Sequence, residues 1–271
     1  ELPDLILCEF FKLKRKPLFF AASAASGLIP LGCALFLPDF HTFSSGAEAV
    51  DSMMSSLFQM SATLLLMPAL VVLASNLFFE EHDNDTLKNI VTVPVSMPAL
   101  ALAKIFLLLL FSMAFMAAGG LINLIILTAA GWEPTGFWRL FFVGIGQGIL
   151  MWAGAMPCIF LVVALNRSYI ISVIIAFFYT AVNYIFGTSD LFITQPFGLN
   201  PGTLLPGSLT FRWYFQYLDF SDPGAEMARL LERISSSFLN AAQAFGTAGM
   251  EAFVFFLLIA LVYRRQGRQK G

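Results

Sequence analysis

Six stretches of this chain, residues 18–37, 57–79, 105–127, 140–165, 169–186 and 245–263, are each apolar for long enough to cross a lipid bilayer. A hydrocarbon core about 30 Å thick takes roughly 20 residues of α-helix. Inside it no water satisfies backbone N–H and C=O groups, so only helices and closed barrels can span. A barrel needs short segments of alternating polarity, and the sequence has none. The expectation is an all-α membrane protein, a six-transmembrane-helix bundle forming one transmembrane domain over residues 1–271. Composition agrees: 58% of residues are hydrophobic and 12% charged, against about 25% charged in soluble domains.

The first stretch follows the basic segment KLKRKP and opens on AASAAS. A signal-peptide cleavage site would lie at the end of the apolar run, so this one reads as a retained helix. The chain opens at Glu1 without Met, and a few residues are expected upstream. Pro68 and Pro157 fall inside the second and fourth stretches, where a kink is expected and neighbouring helices can re-satisfy the freed backbone. Gly144 and Gly148 have the GxxxG spacing that lets helices approach closely, and helix packing is their default role.

Lys and Arg set the orientation. With the N-terminus inside, the inward segments hold Lys12, Lys14, Arg15, Lys16, Lys88, Lys104, Arg167, Arg264, Arg265, Arg268 and Lys270. The outward segments hold Arg139, Arg212, Arg229 and Arg233. Both termini are therefore expected in the cytoplasm. Ahead of the first span, LILCEFFKLKRKP sets Leu5, Cys8, Leu13 and two Phe residues against a basic face, the pattern of an interfacial helix with lysines at lipid phosphates.

A large extracytoplasmic loop, 187–244, precedes the last span. It starts with Gly/Pro-rich turns, and Trp213, Tyr214 and Tyr217 then suit an interfacial aromatic belt. A helix is expected from an Asp222 cap and Pro223, with Met227, Leu230, Leu231, Ile234 and Phe238 on one face. It lies on the outer leaflet or roofs the bundle.

The segment 80–98, beginning EEHDNDTLKNIVTVPVS, gathers Glu80, Glu81, Asp83, Asp85 and Lys88 between two spans, with Lys104 just beyond. It is too short for a domain. It reads as a short cytoplasmic helix capped by Asp85, with Leu87, Ile90 and Val91 as an apolar face that wants a protein partner.

Chemistry is conspicuous by its missing motifs. There is no GxxxxGK[ST] loop, no HExxH and no GxSxG, so neither catalytic nor metal residues are expected and no cofactor is assigned to this chain. His82 among carboxylates is a lone imidazole and reads as solvated. A net charge of −2 gives no reason for nucleic-acid binding. Cys8, Cys33 and Cys158 have no paired spacing and read as single thiols. Within the spans, Asn123, Gln147, Asn183 and Glu251 stand out, each in the outer half of its helix. They are candidates for a substrate pathway, since a carboxylate at depth is costly and tends to face a cavity or partner. Interhelical hydrogen bonding is the competing account.

Six spans with both ends inside, the entry EFFKLKRKP, and a connection of the form E…TLK…PVS…K together resemble the permeases of ABC-2 type transporters. The positions that carry this are Glu80, Glu81, Thr86, Leu87, Lys88, Pro94, Val95, Ser96 and Lys104. The family often has Gly before the Thr and a basic residue after the Ser, where Asp85 and Met97 stand here. The resemblance implies that 80–98 is the coupling segment received by cytosolic ATPase subunits, with Glu80, Glu81, Asp83, Asp85, Thr86, Leu87, Lys88 and Ile90 as coupling residues. It implies two copies of that ATPase, ATP and Mg bound there, a second permease (identical or homologous), and a bacterial inner-membrane location. The KLKRKP entry and the NPGTLLPG loop are most similar to lantibiotic-immunity and bacitracin-resistance permeases, which export peptide antibiotics. An ABC-2 exporter of another lipophilic substrate, or a transporter or sensor without an ATPase, stays open at this point.

Overall fold

The computed structural model describes residues 2–36, 43–83, 96–165, 169–219 and 225–270, with side chains described except at 80–83, 225–227 and 266–270. All regular structure among these residues is helical. Six helices are long and apolar enough to cross a membrane: Pro17–Phe36, Gly46–Phe79, Met97–Ala129, Phe137–Leu165, Tyr169–Gly187 and Ala241–Arg265. An entry helix, Leu2–Lys14, precedes them. It turns Glu9 and Leu13 into the protein and leaves Cys8 exposed, so of the apolar face read from the sequence Leu13 packs inward and Cys8 does not.

Several helices extend past the apolar stretches because capping residues, and not hydropathy, set their ends. The second span starts at Gly46. There Ser45 Oγ accepts the Glu48 N–H at 3.2 Å, while the Glu48 carboxylate accepts the Ser44 N–H at 2.8 Å, a reciprocal cap. The third starts at Met97, with Ser96 Oγ accepting the Ala99 N–H at 3.4 Å and Pro98 in the first turn. Ser96 and Pro98, read from sequence as connection, thus cap and open a span. At the other end, helix Met67–Asp83 continues through Glu80 and Glu81. The connection between these spans contracts to 84–95, which lies outside the described residues.

The second, fourth and third spans form the core, with 67%, 61% and 50% of their most apolar windows buried. The first, fifth and sixth, at 22%, 28% and 17%, pack around them and keep wide apolar faces outward. Lipid is as apolar as Leu, so close packing and interhelical hydrogen bonds must hold such a bundle. Glycines on the fourth span serve this. A Cβ on Gly144 would lie 3.1 Å from the Phe58 ring of the second span, and one on Gly148 would lie 2.8 Å from the Ser112 carbonyl of the third. Trp152 adds a bond from Nε1 to the Ile105 carbonyl at 3.0 Å.

The second span changes register within its length. Residues Leu57–Leu66 are π-helical, and Met67 N–H reaches the Ala62 carbonyl. Pro68, where a kink is expected from the sequence, follows this wider winding within two residues. Pro157 lies inside an unbroken helix.

Two of the three aromatics expected at the interface, Trp213 and Tyr214, are instead buried. Every residue of the short helix Pro206–Tyr214 is buried, wedged between the fourth and fifth spans. Trp213 and Tyr214 are 5% and 3% exposed, packed on Phe245 and Phe58 with ring centroids 5.1 Å apart in each case. Tyr217 is half-buried. Small residues admit the wedge: a Cβ on Gly154 would strike the Pro206 ring, and one on Gly207 the Asn183 carbonyl. Beyond it, helix Ala225–Ile234 buries Ile234 and half-buries Leu230 and Leu231, while Arg229, Glu232 and Arg233 stay exposed. That sidedness is the amphipathic pattern read from the sequence. The expected cap at Asp222 and Pro223 falls outside the described residues.

Candidate functional site

Two polar constructions interrupt this apolar bundle. The first lies at the end where the second and third spans meet the connection. The entry helix sets Glu9 and Lys12 one turn apart, and Lys12 Nζ bonds Glu9 Oε1 at 2.6 Å. The other carboxylate oxygen, Oε2, takes a 2.8 Å bond from Lys104 Nζ. Lys104 also donates to the Leu77 carbonyl at 2.7 Å and lies 5.7 Å from the centre of the Phe78 ring. One buried ammonium thus ties together the entry helix, the second span and the third.

Lys104 and Glu9 are 1% and 2% exposed. Burial alone would push the Glu9 carboxyl up. The Lys104 charge and bonds from Lys104 and Lys12 outweigh it, holding the carboxyl below its ordinary 4.5. The sequence grouped Lys104 with the exposed charges of the connection, and the structure corrects this. Because the helix starts at Met97, Lys104 sits two turns inside the protein, where a charge needs a partner. Of the expected coupling residues, Glu80, Glu81 and Asp83 are on the last turn of Met67–Asp83, their side chains outside the described residues. Asp85, Thr86, Leu87, Lys88 and Ile90 lie outside the described residues altogether.

The second construction holds the register change and the wedge. Asn123 Nδ2 donates to the Met53 carbonyl at 3.1 Å, and Gln147 Nε2 to the Phe58 carbonyl at 2.7 Å. Both are fully buried, so the third and fourth spans each grip a backbone carbonyl where α winding gives way to π. Asn183 bridges elsewhere, donating to the Tyr179 carbonyl at 2.9 Å and accepting the Gly207 N–H at 3.3 Å. Tyr179 in turn donates its hydroxyl to the Gly154 carbonyl at 2.5 Å. Glu251 is half-buried on the sixth span.

The four expected pathway residues therefore divide. Asn123 and Gln147 converge on the second span. Asn183 joins Tyr179 to the wedge, and Glu251 stands apart on the sixth span. The recess beside Asn183, lined also by Phe58, Thr63, Thr210 and Tyr214, has a volume of about 10 Å³, room for one water and no more.

Sequence reading missed Glu9, Tyr179 and Arg212. Arg212 is 1% exposed, with Nε on the Ser237 carbonyl at 2.7 Å and Nη1 on the Gly202 carbonyl at 2.9 Å. Its backbone carbonyl accepts the Leu239 N–H at 3.1 Å, so this cation stitches the wedge to the segments before and after it. Among the described residues no group of three His, Cys, Asp or Glu is placed to hold a metal. The two constructions hold helices in register.

A family model described as ABC-2 family transporter protein matches residues 5–183, from the entry helix through most of the fifth span. No curated protein matches the chain.

Proposed function

This chain belongs to the ABC-2 transporter family and is the permease component of an ABC transporter; from that premise we propose that it exports an amphiphilic peptide antibiotic for self-immunity or resistance. Members of the family serve as the membrane component, with ATP hydrolysis in a separate subunit. In the proposed assembly two cytosolic ATPases, binding ATP with Mg, act on a pair of permeases in a bacterial inner membrane, both termini facing the cytoplasm. Arg212 is buried in the wedge and Lys104 in the node. Setting these two aside, the Lys and Arg bias still favours the N-terminus inside.

The observation that carries the coupling is the Lys104 node. Segment 84–95 joins two helices whose ends are locked to each other and to the entry helix. A push on that segment is passed to the second and third spans as a unit, because packed elements with two arrangements move as bodies. The peptide substrate rests on the sequence resemblance and on the aromatic wedge packed beside Asn183, with Glu251 on the sixth span.

Leu87→Asp tests the coupling. It places an unpaired charge on the expected ATPase-facing side. Recovery of the ATPase subunit in a pull-down should fall while membrane insertion is unchanged. Undiminished recovery with undiminished export would discard the coupling role. Protection of cells against a cationic amphiphilic peptide, compared with protection against an uncharged lipophilic compound, tests the substrate class.

A further inference from the structure

We propose that the entry helix, the first span and the third span form a two-lobed site for one anionic phospholipid of the adjoining leaflet. One lobe, about 310 Å³, is lined by Phe10, Phe19, Leu107, Phe111, Ala114 and Phe115 among others. The second, about 360 Å³, lies along Leu2, Ile6 and Leu7 of the entry helix. Phe10, Leu107 and Leu110 border both lobes, so Phe10 stands as a ridge between two apolar troughs.

The lobes suit acyl chains and not a polar cargo. The hydroxyls at the edge of the first are turned into their own helix, Ser23 Oγ to the Phe19 carbonyl and Ser26 Oγ to the Ser23 carbonyl, each at 2.8 Å. Length agrees as well. From Leu107 to Ala118 the third span rises about 16 Å, and half a hydrocarbon core is about 15 Å. The first lobe therefore has the depth of one leaflet.

Charge fixes the head group. Phe10 and Phe19 meet edge to face at 6.4 Å, and the chain between them turns through Lys14, Arg15 and Lys16. Lys14 and Arg15 are exposed. Three cations thus occupy the turn that joins the two elements lining the troughs, the complement of a phosphate carrying two acyl chains.

Native mass spectrometry of the purified full chain in detergent tests this, with phosphatidylglycerol and phosphatidylcholine of equal chain length as probes. Wild-type chain should hold phosphatidylglycerol about tenfold more tightly. Neutralising the turn, with Lys14→Gln, Arg15→Gln and Lys16→Gln together, should erase that preference. Ala114 is exposed, so Ala114→Trp fills the first lobe without disturbing the core and should weaken both lipids. Ile125→Trp, at a 65% exposed position of the same span, should change neither. Equal affinity of the wild type for the two lipids overturns the proposal, as does unaltered binding by Ala114→Trp. So would a disulfide dimer through Ala114→Cys in a chain whose native cysteines are replaced by Ala, because a second copy would then cover the lobes.

Discussion

Glu9 and Lys104 stand 95 residues apart in sequence yet share a 2.8 Å ion pair in which both side chains are almost fully buried. Taking two charges out of water is costly, and their attraction offsets that cost only when remaining donors and acceptors are also satisfied. Here Lys12 and the Leu77 carbonyl supply those partners. The pair is thus a fastening with a definite position, and it fastens the base of the connection on which an ATPase would act.

Removing one member leaves the other buried without its counter-charge. Lys104→Met should lower stability by about 3–5 kcal/mol, and Glu9→Gln should do so by a similar amount. Replacing both, Glu9→Leu with Lys104→Met, should restore much of the loss, since apolar pairs of similar volume are tolerated. Thermal unfolding in detergent reads the stability. Export in cells reads the coupling, which should stay impaired in the double variant. Single variants that melt like the wild type would show that the pair fastens nothing.

The same fastening gives a pH dependence with a fixed sign. The Glu9 carboxyl is held below 4.5 in the folded chain. A depressed carboxyl contributes stability that is fully present above its unfolded value and lost as pH falls through its folded one. The contact between entry helix and third span should be constant from neutral pH down to 4.5 and weaken below it. Cross-linking between cysteines placed on the two elements, followed against pH, reads this. Weakening that begins at neutral pH would assign the dependence to another group.

The wedge makes a steric prediction. A Cβ at Gly154 would meet the Pro206 ring and one at Gly207 the Asn183 backbone, neither of which can swing aside. Gly154→Ala should cost about 1–3 kcal/mol by overpacking and raise the access of thiol reagents to a cysteine placed at the buried Ser208. Gly246→Ala, where a Cβ meets nothing within 4 Å, should change neither. If Ser208→Cys stays protected in the Gly154→Ala background, the wedge is not held by that contact.

The six spans were legible because the bilayer imposes their length, whatever the packing. The wedge was not, because PGSLTFRWY reads by composition as turn followed by surface aromatics. Arg212 can enter the protein only because the Gly202 and Ser237 carbonyls, supplied from both sides of the wedge, receive its guanidinium. That pairing depends on tertiary approach. Lys104 was misplaced for a related reason: the helix start is set by the Ser96 hydroxyl, while the apolar run begins later. The π winding of Leu57–Leu66 has no residue signature, and Asn123 and Gln147 acquire their meaning only once the carbonyls they grip are seen. Glu251 was visible by its charge alone.

That charge supports the last prediction. Asn123 and Gln147 are committed to the Met53 and Phe58 carbonyls, so they hold structure. Asn123→Leu should lower stability by about 1 kcal/mol and reduce export only in proportion to expression. Glu251 differs. It is half-buried on the sixth span. A carboxylate at that depth suits a cationic peptide once the wedge opens, and an intramembrane carboxylate is a functional candidate by default. Glu251→Gln keeps the shape and removes the charge. Protection against a cationic peptide should fall while expression, assembly with the ATPase and basal ATP hydrolysis stay near wild type. Protection that is unchanged, or that drops only with expression, would make Glu251 a packing residue and remove the charge-based reason for a peptide substrate.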